Sequence, residues 1–143
     1  MRRVIGPYHL MGPVNVDPTE TIERNALVTV DSGQVTAVSN ADDANLAIAT
    51  DKFPDPEYAG TKTQVGLVRL GEDVEVEMPF SGAALTQAMI GGGPYNVLAA
   101  NGGTVNLAAT AAGVFKPLRL GRDTAIGATT GFLIGVFTDA ASF

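Results

Sequence analysis

Glu72, Asp73, Glu75 and Glu77 form the densest run of carboxylates in the chain. Oxygen ligands of this kind suit a hard cation. The alternation of Val74, Glu75, Val76, Glu77 and Met78 puts Glu75 and Glu77 on one face of a strand, with Asp73 close by. Metal loops usually gather their ligands around a turn, whereas this spacing is that of a solvent-facing strand, and that is the expectation. Exposed glutamates there would also discourage stray edge pairing. The single histidine, His9, has no carboxylate, Cys or second His near it in sequence, so it reads as a contact residue rather than a ligand or base. Gly91, Gly92 and Gly93 follow a helical pattern instead of opening one, and no Lys-Ser or Lys-Thr pair comes after them, which excludes a phosphate loop. Asn101-Gly102-Gly103 is a hairpin-type turn signal. Cys and Trp are absent. Disulfides, a thiol nucleophile, cysteine zinc sites and any triad or metal cage needing two histidines are thereby excluded. No catalytic residue, metal or cofactor is expected.

The elements that must carry these residues are mostly strands. Alternating, β-branched runs lie at 26–31, 34–39, 46–50, 64–70, 74–78, 95–99, 104–109, 114–120 and 132–138. Asp31, Ser32 and Gly33 link the first two as a short hairpin. Pro79 is expected to end the 74–78 strand. Residues 83–90 read as the one helix, about two turns long, with Ser81 as a cap and the three glycines as its stop. Polar residues 40–44 form a turn, and 52–63, with Pro54, Pro56 and Gly60, a long loop. Val68-Arg69-Leu70-Gly71-Glu72-Asp73 and Leu118-Arg119-Leu120-Gly121-Arg122-Asp123 echo one another, which reads as two strands ending in the same type of glycine turn. Many short strands with frequent turns describe a sandwich or small barrel: an all-β fold in one domain over 25–143.

Residues 1–24 are different. Gly6, Pro7, Gly12, Pro13 and Pro18 forbid a helix, yet Val4, Ile5, Tyr8, Leu10, Met11, Val14 and Val16 make the segment too apolar for a solvated tail. An extended arm is expected, packed on its own domain or on a neighbouring chain, with Arg2, Arg3, Ile5, Tyr8, His9, Leu10 and Met11 as its contact residues. Gly6 and Pro7 interrupt any signal-peptide core, and no run approaches a membrane span.

The chain has 143 residues, a net charge of −6 and only 17% charged residues. An acidic surface repels a phosphate backbone, so no nucleic acid is expected as partner. The charge is also uneven. Residues 1–80 hold six basic and thirteen acidic side chains, whereas 81–143 hold three and two, with eleven of the 17 glycines. Solvated surfaces usually carry more charge. Either this half is mostly core or a partner covers part of it.

Two resemblances follow. Asp55-Pro56-Glu57-Tyr58-Ala59-Gly60 is similar to the Asp-x-x-Tyr-x-Gly segment of trimeric all-β dUTPases, and Pro79-Phe80-Ser81-Gly82 half-matches their Pro-Arg-Ser-Gly loop. That resemblance implies that Asp55 activates a water. However, Phe80 replaces the phosphate-binding Arg, the two segments come in the wrong order, and the glycine-rich closing tail is missing. The second resemblance is broader. The extended arm, the small acidic β-domain without Cys, and the passage from Gly113-Val114-Phe115 through Leu120-Gly121 to Gly131-Phe132-Leu133-Ile134-Gly135-Val136-Phe137-Thr138-Asp139-Ala140 look like capsid decoration (cement) proteins of tailed bacteriophages. It implies a β-tulip-like domain that trimerises and sits on the outer capsid, made in the host cytoplasm and found in the virion. There it would clamp the major capsid protein and stabilise the expanded shell. Another viral or surface structural β-domain, such as a head-fibre base, tail component or adhesin, is the alternative.

Overall fold

The computed structural model describes residues 2–7, 10–38, 45–55, 57, 63–98 and 103–138. The expected 40–44 turn, most of the 56–62 stretch and Asn101-Gly102 lie outside them. Among the described residues eleven strands make two sheets: β1 (Arg3–Gly6), β2 (Leu10–Asn15), β3 (Leu27–Asp31), β4 (Gln34–Ala37), β5 (Leu46–Ala49), β6 (Gln64–Arg69), β7 (Glu75–Ser81), β8 (Asn96–Leu98), β9 (Thr104–Asn106), β10 (Phe115–Leu120) and β11 (Gly131–Phe137). The fold is all-β, as the period-two runs predict.

The first sheet has the order β10-β11-β7-β9-β8, and β1 also pairs with β7. The second runs β2-β6-β5-β3-β4. Pairing is antiparallel except between β7 and β9. Each sheet curls until one isolated bridge joins its outer strands, Tyr95 to Phe115 in the first and Val16 to Val35 in the second. Neither closes as a continuous ladder, so the molecule is two strongly curved sheets rather than a closed barrel.

Two apolar clusters hold them. Val76, Met78, Phe80, Val105, Phe115, Leu133 and Phe137 of the first sheet pack with Leu27, Leu46, Ile48 and Val68 of the second. Phe115 and Phe137 meet edge to face at 5.3 Å between centroids. On the other face of the second sheet Val28, Val30, Ala47, Ala49, Val65 and Leu67 pack with Val16 and Ile22. This explains why β5 is buried at all four positions: its Leu and Ile face one cluster and its alanines the other.

Two expectations are corrected. The predicted helix over 83–90 is only a 3-10 turn at Gln87–Met89. Leu85 is buried in the core, donates its N–H to Ala128 O at 2.8 Å and accepts the Gly127 N–H at 2.7 Å. An eight-residue helix is marginal by itself, and these long-range bonds to the 121–130 loop take its backbone groups. β7 also runs straight through Pro79 to Ser81. The Ser81 carbonyl faces β9 and accepts from Leu107 N, so Pro79, two residues back, turns its missing N–H to that same edge. There the strand's partner changes from β1, opposite 75–77, to β9, opposite 80–81, and no ladder bond is lost. The two echoed segments do end strands, at Arg69 and Leu120, with a turn after each.

Candidate functional site

The N-terminal residues change sheets within a few positions. β1 lies beside β7, with Arg3 opposite Glu77 and Val4 opposite Val76. β2 then joins the second sheet along β6, with Leu10 opposite Val68. Between the two sits a cleft of about 300 Å³, lined by Arg2, Arg3, Val4, Leu10, Asn25, Ile48, Thr50, Val68 and Arg122. Three arginines therefore line one cleft in a chain whose net charge is −6.

Their partners differ. Arg2 is 9% exposed. Its Nε donates to Asn25 O at 2.8 Å and a terminal nitrogen to Gly103 O at 2.9 Å. Burial pulls this guanidinium below its ordinary range. Arg3 projects outward at 59% exposure, its Nε 3.6 Å from Glu77 Oε1, too far for a hydrogen bond. Arg122 reaches over from the 121–130 loop. Its backbone N–H donates to Glu77 Oε2 at 3.0 Å, its Nε stands 3.1 Å from Oε1, and its guanidinium lies 4.1 Å above the Phe132 ring.

Glu77 is the centre of this arrangement and is completely buried. Val76 and Met78 face the core, so Glu77 points to the outer face of its sheet, as the alternation predicts. Solvent exposure does not follow, because Arg3 and Arg122 cover it. Its Oε1 makes no hydrogen bond and is balanced only by ion pairing. Glu75, on the same face, is paired with Arg119 of β10 through both oxygens, one of them at 3.1 Å. The Glu75 hydrogen bond holds the Arg119 guanidinium above its ordinary range. The expected solvated glutamate face is therefore an ion-paired one, and Arg119 and Arg122 both come from the echoed 118–123 segment. Among the described residues, no group of three His, Cys, Asp or Glu side chains gathers in a metal-binding arrangement.

Of the arm's expected contact residues, Arg2, Arg3 and Leu10 come together at the cleft. Ile5 is half-buried at a register shift in β1. Met11 packs against the second apolar cluster. Tyr8 and His9 lie outside the described residues. The segment is extended, and β1 and β2 lie on the chain's own sheets. Asp55, from the dUTPase-like segment, is buried, and its Oδ1 accepts the Glu57 N–H at 3.1 Å. The sequence signal for the cleft was weak: Arg2 and Arg3 stood out, but nothing joined them to Arg122 or to a buried Glu77.

Among the described residues, the large exposed apolar side chains are Leu10 at 71%, Leu98, Leu118, Leu120 and Ile126, four of them beyond residue 80. No helix of the described residues is long and apolar enough to cross a membrane. No family model matches the chain. No curated protein and no solved structure matches it either.

Proposed function

We propose that this chain is a capsid decoration protein of a tailed bacteriophage, binding the outer surface of the expanded shell as a trimer and clamping neighbouring major capsid subunits. The observation that carries the reading is the apolar surface of the charge-poor half. Leu98, Leu118, Leu120 and Ile126 stay exposed in a stretch that holds only five charged residues. Leu118 and Leu120 project from β10, the outermost strand on one side of its sheet, where a partner can reach them. A surface with little charge and several exposed aliphatic side chains is suited to being covered. The resemblance in the arm and in the 113–140 passage supplies the kind of partner.

Weak contacts of this sort suffice on a symmetric shell, because a trimer engages several sites at once. Binding only the expanded state stabilises it by mass action. No cofactor or reaction is required. The test is to add the purified protein to expanded shells assembled from the major capsid protein alone. Saturable binding and a higher shell disruption temperature in calorimetry are expected. Leu120→Glu should weaken binding by roughly tenfold or more, since it removes the burial of one aliphatic side chain, without lowering the free protein's melting temperature. A protein that leaves expanded shells bare at saturating concentration would sink the proposal.

A further inference from the structure

The cleft between the two sheets has a composition that the capsid reading does not use. We infer that it is a docking site for a carboxylate side chain on an extended acidic segment of a partner protein. Arg2 is a buried cation whose guanidinium, among the described residues, meets carbonyl oxygens and no carboxylate. Carbonyl dipoles hold it in place but leave its charge uncompensated. Arg3 also lines the cleft; its side chain is largely exposed and its Nε is beyond hydrogen-bond distance of Glu77. Glu77 pairs with Arg3 and Arg122, which leaves Arg2 as the arginine of the cleft that meets no carboxylate among the described residues. A planar guanidinium matches a carboxylate through two parallel hydrogen bonds, and such charge-assisted bonds are among the strongest available to a protein surface.

The walls define the rest of the guest. Val4, Leu10, Ile48 and Val68 line the same cleft, so the acid must arrive on an aliphatic stem or beside an apolar neighbour. A volume of about 300 Å³ is at the small end of ligand pockets and has room for about one or two amino-acid residues. Leu10 at the rim is 71% exposed and offers an apolar landing for the adjoining residue. A glutamate flanked by leucine fits these features; a bare inorganic anion leaves the apolar walls unused.

The inference goes beyond the capsid reading and stands or falls without a shell, because the probe is a short peptide. The full chain is titrated with a blocked Ala-Leu-Glu-Leu-Ala peptide, with its Gln counterpart, and with inorganic phosphate. Binding is followed through the arginine side-chain N–H signals in NMR. The Glu peptide is expected to shift the Arg2 and Arg3 signals saturably, with affinity falling as salt rises. The Gln peptide should bind at least about fivefold more weakly, the loss expected for one partly exposed charge pair. Arg3→Gln should bring the Glu peptide down to that level. Leu10→Glu, a fully surface change that sets a competing carboxylate at the rim, should do the same should Arg3→Gln disturb folding. Equal binding of the two peptides, phosphate binding as tightly as the Glu peptide, or unmoved Arg2 and Arg3 signals would each overturn the inference. Self-association that Arg3→Gln abolishes would overturn it in favour of a second copy of this chain.

Discussion

At the scale of single residues, the most consequential side chain is Glu77. It is completely buried, while its partners Arg3 and Arg122 are partly in solvent. Glu77→Ala leaves the Arg122 N–H without its acceptor and opens a polar gap against β7. A loss of about 3 kcal/mol is expected in urea unfolding. Arg3→Gln, which removes an exposed member of the same cluster, should cost less than about 1 kcal/mol. A second residue-level prediction concerns Asp17. The Thr19 backbone N–H, at 2.9 Å from Oδ1, and then the Thr19 hydroxyl, at 2.8 Å, hold its carboxyl below the usual carboxylate range. A group whose folded pKa is depressed stabilises the fold above its unfolded pKa, and that contribution is lost as pH falls through the folded pKa. Thr19→Ala removes the hydroxyl and keeps the N–H, so the Asp17 midpoint in an NMR titration should rise part of the way to its ordinary value. The sequence placed Glu77 on the correct strand face. It could not show that this face is covered, because the covering groups lie 45 residues downstream, at Arg122, and in the first strand, at Arg3.

At the scale of elements, the glycines separate positions that are packed from positions that are merely permissive. Gly135 sits in the middle of β11, opposite Pro117 of β10. A Cβ there would collide with the Lys116 carbonyl oxygen and come within 2.7 Å of the Phe115 ring. That ring belongs to the main core, so neither obstacle can yield cheaply. Gly135→Ala should destabilise by about 2–3 kcal/mol. Gly12 in β2 has open space where its Cβ would go, and Gly12→Ala should change stability by less than about 0.5 kcal/mol. Equal melting temperatures for the two variants would contradict this packing. Strands were the legible elements, since a period of two with β-branched residues needs no knowledge of the partner. The 83–90 helix was misread because local propensity was outweighed by the bonds between Leu85 and residues 127–128.

At the scale of the whole molecule, the N-terminal segment ties the two sheets together. β1 completes the first sheet beside β7, β2 forms the outer strand of the second, and Arg2 is bonded to Asn25 and Gly103. Deleting residues 1–6 should therefore lower the melting temperature of the entire domain in one cooperative transition, rather than release a passive tail. A truncated chain that melts like the intact one would contradict this. From the sequence alone come the β class, the strand positions, the extended path of the N-terminus and the charge-poor half beyond residue 80. All of these are properties of neighbours along the chain or of composition. The tertiary structure decided the division into two curled sheets, the fully buried glutamate and the cleft where Arg2, Arg3 and Arg122 meet. Those depend on residues from the start and the far end of the chain approaching within a few ångströms, and no local period or spacing encodes such distances.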